Sequence, residues 1–224
     1  MACVTVTAAV KAAVKVAAGR KQCSRGSRRQ AVIPLINMNW NNYLQQTQGK
    51  SPRPLLVRAL SYVQNRGEAL DLGCGALNDA STIIEAGFSN IDAVDGNTSI
   101  KIIADKIPKI TFYPKTFDAF EFPVQKYDLV NAQYALPFAG IHFSYIWEGL
   151  TNSLKSNGIF TGQLFGTTDG WNDGTHPVIV FHNEPVALFS DFEIISIEEE
   201  ITDKLLASGI KKHWHLFNII ARKK

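Results

Sequence analysis

Asp71, Gly73, Gly75 and Asp95 are the residues whose types and spacing point most clearly to chemistry. In Leu70-Asp71-Leu72-Gly73-Cys74-Gly75 two glycines stand two apart behind a short apolar run that carries one acid. Without a Cβ they let the backbone turn tightly and come close to a ligand. Asp95 lies 22 residues past Gly73 and ends the next apolar run, Ile91-Asp92-Ala93-Val94. An acid at that distance suits a ribose, whose hydroxyls it can accept, although a strand-end cap is the plainer alternative. Strand, glycine turn and helix N-terminus together make a nucleotide-type cradle. The dinucleotide fingerprint requires a third glycine at position 78, where Asn78 stands instead.

The cradle needs elements on either side of it. Ala69 to Leu72 reads as a buried strand of a parallel sheet. Asn78 to Ile84 opens a helix, with Asn78 or Asp79 as N-cap, and Gly87 ends it. Asn90 to Val94, Ile110 to Tyr113, Tyr127 to Ala132 and Ile159 to Phe165 read as further strands. Thr98 to Lys106 is a short helix between them, closed before Pro108. Ser144 to Leu154 is an amphipathic helix with Tyr145, Trp147 and Leu150 as its bulky members. Strands alternating with helices give right-handed crossovers and a parallel sheet. Further on, Glu184 to Phe189 is expected as a helix, and Phe192 to Ile197 and Trp214 to Ala221 as strands. Glu198-Glu199-Glu200 is expected in a solvated loop or at a strand end. Before the cradle, Trp40 to Val63 reads as a helical leading segment, since Leu55, Leu56, Ala59, Leu60 and Val63 recur at helical spacing.

The glycine turn with Asp95 resembles motifs I and II of class I S-adenosylmethionine-dependent methyltransferases. The similarity continues through Tyr127-Asp128-Leu129-Val130-Asn131 and Leu154-Lys155-Ser156-Asn157-Gly158-Ile159-Phe160, so it covers about Trp40 to the C-terminus. The ending Leu216-Phe217-Asn218-Ile219-Ile220-Ala221-Arg222-Lys223-Lys224 is most similar to the tellurite-resistance and thiopurine-type small-molecule branch. The resemblance implies a Rossmann-like, doubly wound α/β fold with a seven-stranded, mostly parallel sheet whose last strand is antiparallel. It implies S-adenosylmethionine as cofactor and a small-molecule methyl acceptor. It also implies cofactor contacts from Asp71, Gly73, Gly75, Asp95 and Asn131, with Asp118 on the adenine side. Asp71 would orient the loop or the cofactor amine, and Asp118 has the alternative of an ordinary turn aspartate. In the leading segment, Trp40, Tyr43 and Arg53 would close over the methionine moiety, Arg53 pairing with its carboxylate. Otherwise the two aromatics only pack and Arg53 is solvated.

Methyl transfer from a sulfonium is an in-line displacement, helped chiefly by proximity and by stripping water from the site. A fixed general base is optional when the acceptor is an anion or a soft atom. No Ser-His-Asp order, Cys-His arrangement or helix-spaced carboxylate pair stands out. Tyr134 and His142, with Phe138, follow the fourth strand on the substrate side of such a sheet and are the catalytic candidates, each equally readable as a packed loop residue. Enzymes that methylate adenine amines carry Asn or Asp, two prolines and an aromatic. Here Ala132 and Gln133 stand in place of the prolines, which counts against a nucleic-acid base as acceptor. His213 and His215 share a strand face without a third ligand, so hydrogen bonding explains them better than a metal. Gly166 to Pro177, bearing Asp169, Trp171, Asp173 and His176, is either a substrate lid or a connection.

Composition bounds these readings. At 46% hydrophobic and 19% charged, 224 residues fill one core. Cys3, Cys23 and Cys74 offer neither a disulfide framework nor a metal spacing, so a reducing compartment is expected. No run reaches membrane-spanning length. The net charge of +3 conceals an asymmetry: residues 1–37 hold seven of the 23 basic residues and none of the 20 acidic ones, leaving 16 against 20 in residues 38–224. A mildly acidic domain is poorly suited to nucleic acid. Residues 1–37 read as a basic extension, either a targeting segment or one without a role in the fold, ahead of a methyltransferase domain spanning 38–224. The expected protein is cytoplasmic, or organellar if the extension is a transit peptide, and a monomer or weak homodimer. The rival readings are a nicotinamide-dependent oxidoreductase, disfavoured by the missing glycine, a non-catalytic cofactor-binding relative, and a protein or RNA methyltransferase.

Overall fold

The computed structural model describes residues 40–224 apart from residues 175, 177, 207 and 208, and of Trp40 the backbone alone. The basic extension expected over residues 1–37 lies outside the described residues. Two helices lead, α1 (Trp40–Thr47) and α2 (Pro54–Leu60). Then come β1 (Glu68–Leu72), α3 (Asn78–Glu85), β2 (Asn90–Val94), α4 (Lys101–Ala104), β3 (Ile110–Tyr113), β4 (Tyr127–Ala132), α5 (Phe143–Ser153) and β5 (Leu154–Gly166). A two-residue β6 (Val180–Phe181) and the long strands β7 (Phe192–Leu205) and β8 (Lys211–Lys223) complete the chain. The sheet runs β3-β2-β1-β4-β5-β8-β7, with β6 paired to β5 beside that path. β8 is antiparallel to both neighbours, and the other pairings are parallel. This is the expected doubly wound sheet with an antiparallel last strand, plus one short extra strand.

β1 and β4 are central and buried on both faces, which is why they read as apolar runs and not as alternations. One face packs Leu70, Leu72, Val130 and Phe160 under Phe143, Ile146, Trp147 and Leu150 of α5. Those four α5 residues recur at i, i+3, i+4 and i+7 and form its inner stripe, while Tyr145 is 57% exposed. The other face packs Ala69, Leu129, Ile159 and Ile220 under Leu55, Leu56 and Ala59 of α2 and Ala80 and Ile83 of α3. The chain goes from β1 out to β3, then returns to β4 on the opposite side of β1. That reversal opens a crevice at the carboxyl ends of β1 and β4, the usual ligand position in such sheets.

Several expectations need correction. The leading segment is two helices separated at Gln48–Arg53, because Pro54 sits at the first turn of α2, where its missing N–H costs nothing. Between Glu184 and Phe189 only a single 3-10 turn forms, over Val186–Phe189, led by Pro185 with no side-chain cap. Glu198-Glu199-Glu200 is neither a loop nor a strand end. It lies inside β7, whose ladder with β8 continues from Phe192↔Lys223 to Leu205↔Lys211. Each glutamate has a partner: Arg58 Nη1 donates to Glu198 Oε1 at 2.7 Å, His215 Nε2 lies 2.8 Å from Glu199 Oε1, and Lys204 Nζ lies 2.5 Å from Glu200 Oε1. Charges on an edge strand also deter pairing with another sheet. Since the β5–β8 ladder ends at Phe165↔Leu216, the residues 201–205 and 211–215 project past β5 as a two-stranded arm. Among the described residues no helix is long and apolar enough to cross a membrane.

Candidate cofactor and acceptor site

The cradle begins where β1 ends. The N–H groups of Gly73 and Cys74 donate to the Val94 carbonyl at 2.8 and 3.2 Å, folding the turn over the end of β2. Gly73 has φ +76°, and a Cβ there would sit 2.8 Å from the Ala135 methyl and 3.4 Å from Phe117 Cζ. Gly75 has φ +48° and, among the described residues, nothing within 4 Å of an added Cβ. Thus Gly73 is fixed by packing, while Gly75 is fixed by a left-handed backbone that only glycine adopts cheaply. Asp95 aims its carboxylate at this turn, accepting from Gly75 N at 3.1 Å and from Asn97 N at 2.9 Å. Burial pushes its pKa up against those two bonds. A carboxylate has about four acceptor positions, so the two backbone donors leave room for more. The strand-end cap and the ribose acceptor are therefore compatible roles.

Asp71 lies under the turn, 2% exposed. Its Oδ1 accepts from Asn131 Nδ2 at 2.8 Å, while its Oδ2 is buried with no hydrogen-bond partner among the described residues. Burial first, then the charge of Asp79, pushes the Asp71 carboxyl up to about 7. Buried polar atoms are nearly always satisfied, so an orphan oxygen beside a glycine turn fits a ligand donor or cation. Asp79 is itself engaged by the N–H and Nη1 of Arg53 at 3.0 and 2.9 Å.

That engagement corrects the expected cap. Neither Asn78 nor Asp79 caps α3; Leu77 occupies the N-cap in the left-handed region, φ 62°, without a side-chain bond. Both side chains instead fasten the leading segment. Gly49 N donates to Asn78 Oδ1 at 3.0 Å, and Asn78 Nδ2 donates to the Thr47 carbonyl at 2.7 Å. At the other side of the cradle, Asn97 Nδ2 and Ser99 Oγ donate to Asn41 Oδ1 at 3.0 and 3.1 Å. α1 therefore bridges the cradle, with Tyr43 half-buried on it and near Arg53 and Tyr134. The absent third glycine has a structural reason here: position 78 is a tether.

The sequence reading missed a run of buried amides. Asn131 Oδ1 accepts from Gln133 Nε2 at 2.9 Å, and Gln133 Oε1 accepts from Gln163 Nε2 at 2.9 Å. Gln163 Nε2 also reaches Asn218 Oδ1 at 3.2 Å, and Asn218 Nδ2 donates to Glu200 Oε2 at 3.2 Å. Gln163 Oε1 accepts Tyr134 N at 3.0 Å and holds that residue at φ 57°, a left-handed conformation unusual for a tyrosine. Only the strand register, Gln163 opposite Asn218, could have found this network.

Beyond β4 and β5 the site is made of rings. Tyr134 and Trp214 meet edge-on at 5.3 Å, and the Arg53 guanidinium lies 5.4 Å from the Tyr134 centroid. Burial pushes the Tyr134 hydroxyl pKa up, which keeps it protonated near neutral pH. The loop after β5, read as a lid or a connection, is fastened down. Asp169 receives Lys212 Nζ at 2.6 and 2.7 Å, Trp171 N at 3.0 Å and His215 N at 3.1 Å. The histidines of the β8 face find partners on β7, His213 with Asp203 at 2.7 Å and His215 with Glu199 at 2.8 Å.

The structure therefore gathers Tyr43, Arg53, Asp71, Gly73, Gly75, Asp95, Asn131 and Tyr134 around the carboxyl ends of β1, β2 and β4. Asp118 is exposed in the 3-10 turn Phe117–Ala119, and the ring of Phe117, not its carboxylate, reaches the glycine turn. His142 is exposed at the start of α5. A hollow of about 210 Å³ beside Asp92, Tyr113 and Lys126 lies on the β2–β3 flank, away from the crevice. Its Asp92 is already bonded by Lys126 Nζ and Tyr127 Oη, each at 2.6 Å.

The sheet order, the antiparallel last strand and the crevice define a fold shared with S-adenosylmethionine-dependent methyltransferases. TehB from Haemophilus influenzae superposes with a TM-score of 0.65 at 17% identity, over 83% of this chain and 67% of its own. An S-adenosylmethionine-dependent methyltransferase from Methanosarcina mazei gives 0.56 at 18% identity, over 78% of this chain and 99% of its own. The 1,6-didemethyltoxoflavin-N1-methyltransferase of Burkholderia thailandensis, solved with 1,6-didemethyltoxoflavin and S-adenosylhomocysteine, gives 0.57 at 16% identity over 77% of each chain. No family model and no curated protein matches the sequence.

Proposed function

We propose that this protein is an S-adenosylmethionine-dependent methyltransferase acting on a small molecule. The observation that carries the reading is the orphan Oδ2 of Asp71, buried at the crevice beside a left-handed glycine turn. A carboxylate held there without a partner suits an ammonium, the group at the methionine end of the cofactor. Asp95 would accept the ribose hydroxyls, and the Gly73–Gly75 backbone would lie along the cofactor. The Phe117–Ala119 turn with Asp118 would flank the adenine, and Tyr43 and Arg53 would cover the methionine carboxylate. When bound, S-adenosylmethionine supplies an electrophilic methyl: the acceptor's lone pair forms the new bond as the sulfonium C–S bond breaks and its electron pair returns to sulfur. The chain's own part is to orient and to exclude water. Tyr134, kept protonated, serves as a donor or a wall and not as a base, so a proton on a neutral acceptor would pass to solvent.

The acidic balance of residues 38–224 and the Ala132-Gln133 pair in place of two prolines support a small acceptor over a nucleic acid. The experiment is calorimetry of the full chain with S-adenosylhomocysteine and, separately, with NAD, followed by a labelled-methyl screen over small acceptors. Binding of S-adenosylhomocysteine with methyl incorporation is the expected result. Binding of NAD alone would favour an oxidoreductase, and cofactor binding with no acceptor turned over would favour a non-catalytic relative.

A further inference from the structure

The rings beyond β4, beyond β5 and on the arm form one connected group that the cofactor contacts leave unused. Trp214 meets Tyr134 and Trp171, each at 5.3 Å. Phe138 lies 5.4 Å from Trp171, and His176 stacks on Trp171 at 5.8 Å with an interplanar angle of 22°. All five are only half-buried. The rings that fill the core behave differently, Phe143, Phe160 and Phe189 being at most 1% exposed. A cluster of large rings left half open beside a crevice is a contact surface before it is filling.

The group is also held rigid from behind. Lys212, 5% exposed, places Nζ 3.5 Å from the Trp214 centroid, 4.3 Å from Trp171 and 5.0 Å from Phe165. The same Nζ pairs with Asp169, whose Oδ1 accepts the Trp171 N–H. A cation over ring faces attracts them, and more so when desolvated. Lys212 therefore clamps the two indoles and has no charge to spare for a ligand. At its inner end the group touches the cofactor side, because Tyr134 stacks over Arg53, which pairs with Asp79.

We propose that Tyr134, Phe138, Trp171 and Trp214 form a stacking site for a flat aromatic acceptor, with Lys212 and Asp169 as positioning residues for the indoles. This rests on the methyltransferase reading and deepens it by naming the acceptor's chemical class. A flat ring gains offset or edge contacts with several partners at once. A compact hydrated oxyanion would give up its water against ring carbon and meet few donors in return.

The test uses the full chain without cofactor, and calorimetry with two neutral probes, 2-naphthol and decahydro-2-naphthol, which share a hydroxyl and a carbon skeleton but differ in flatness. The wild type is expected to prefer 2-naphthol by about ten-fold, and Trp171→Leu and Phe138→Leu each to cut that preference to about three-fold or less. Equal affinity for the two probes, binding of neither, or a preference untouched in both variants overturns the proposal. Affinity for S-adenosylhomocysteine, measured on the same samples, separates the failures. If it binds while the probes show no preference, only the aromatic acceptor falls. If it does not bind, the methyltransferase reading falls whatever the probes do.

Discussion

The glycine turn after β1 and the ring wall beyond β4 and β5 lie at the same edge of one sheet but are held by different means. The turn is shaped by backbone: two left-handed glycines, N–H groups bonded to Val94, and a carboxylate 20 residues on that accepts from Gly75. The wall is shaped by side chains from distant segments, Tyr134 and Phe138 after β4, Trp171 after β5 and Trp214 on the arm, locked through Lys212 and Asp169. A backbone-shaped site fixes what every ligand of its class shares, while a side-chain-shaped site can change with the acceptor. The two are joined by the amides from Asn131 to Asn218. Breaking one region while sparing the other tests this division.

The largest effect is expected at Gly73. A valine there meets Ala135 at a Cβ distance of 2.8 Å and must hold φ +76°. The conformational cost is about 1–2 kcal/mol and the overpacking about 1–3 kcal/mol more. Gly73→Val should therefore lower the melting temperature and abolish S-adenosylhomocysteine binding. Gly75→Ala meets no described atom but must hold φ +48°, so it should cost the fold only the conformational term, about 1–2 kcal/mol, and so melt above Gly73→Val while losing affinity. If the two variants melt alike, packing against Ala135 is not what fixes the turn.

Asp95 comes next. Asp95→Ala removes an acceptor while the ribose donors still lose water, at an expected cost of about 2–4 kcal/mol in affinity for S-adenosylhomocysteine. Asp95→Asn should fall between, since its amide oxygen still accepts. Asp95→Ala should lose about 1 kcal/mol of stability with the bonds from Gly75 and Asn97, and Asp95→Asn, which keeps one acceptor oxygen, less. Equal affinity across wild type, Asn and Ala in calorimetry would reduce Asp95 to a cap.

Asp71 gives a smaller, pH-dependent signal. Its folded pKa, about 7, lies above its unfolded value, so the native state holds a proton that the unfolded state releases. Stability from this group is present below about pH 4 and is lost as pH rises towards 7. Relative to wild type, Asp71→Asn should gain stability across that window, read as the difference in melting temperature against pH. An ammonium beside Asp71 prefers its ionised form, so S-adenosylmethionine should bind the wild type more tightly as pH rises through 7, with proton release visible in buffers of different ionisation enthalpy. A flat difference curve would mean that Asp71 is already ionised in the folded protein.

Legibility followed the same division. The strands Asn90–Val94, Ile110–Tyr113 and Tyr127–Ala132 stand where the pattern put them, the first and last because burial on both faces favours apolar runs, and the edge strand Ile110–Tyr113 because it is a short, half-buried apolar and β-branched run. Gly73, Gly75 and Asp95 were readable because their spacing is local. The cap of α3 was not, since Asn78 and Asp79 obey a tether to Thr47, Gly49 and Arg53 that lies outside the helix. Nor was the length of β7: three consecutive glutamates look like a solvated loop until Arg58 and His215 are known to face them. The antiparallel last strand followed from the family resemblance and not from any pattern in the residues. The ring wall was visible only as scattered aromatics, because nothing short of strand register brings Trp171 to Trp214.

The smallest effect concerns what keeps the arm's strand β7 in place. Glu198 accepts two bonds from Arg58 Nη1, at 2.7 and 3.0 Å, and joins the edge strand to α2 across 140 residues of sequence. The side chains are 40% and 55% exposed, so solvent screens the pair. Exposed pairs contribute about 0.2–1 kcal/mol, falling with salt. The β7–β8 ladder, in contrast, pairs Phe192 to Leu205 against Lys223 to Lys211, interrupted only by a register shift at Ile195. If the ladder holds β7, a double-mutant cycle on Arg58→Ala and Glu198→Ala should give a coupling within that range, vanishing near molar salt. A coupling well above about 1 kcal/mol that survives high salt would reverse the assignment. The edge would then be held by charge, and the ring wall, which includes Trp214 on β8, should loosen in the same variants.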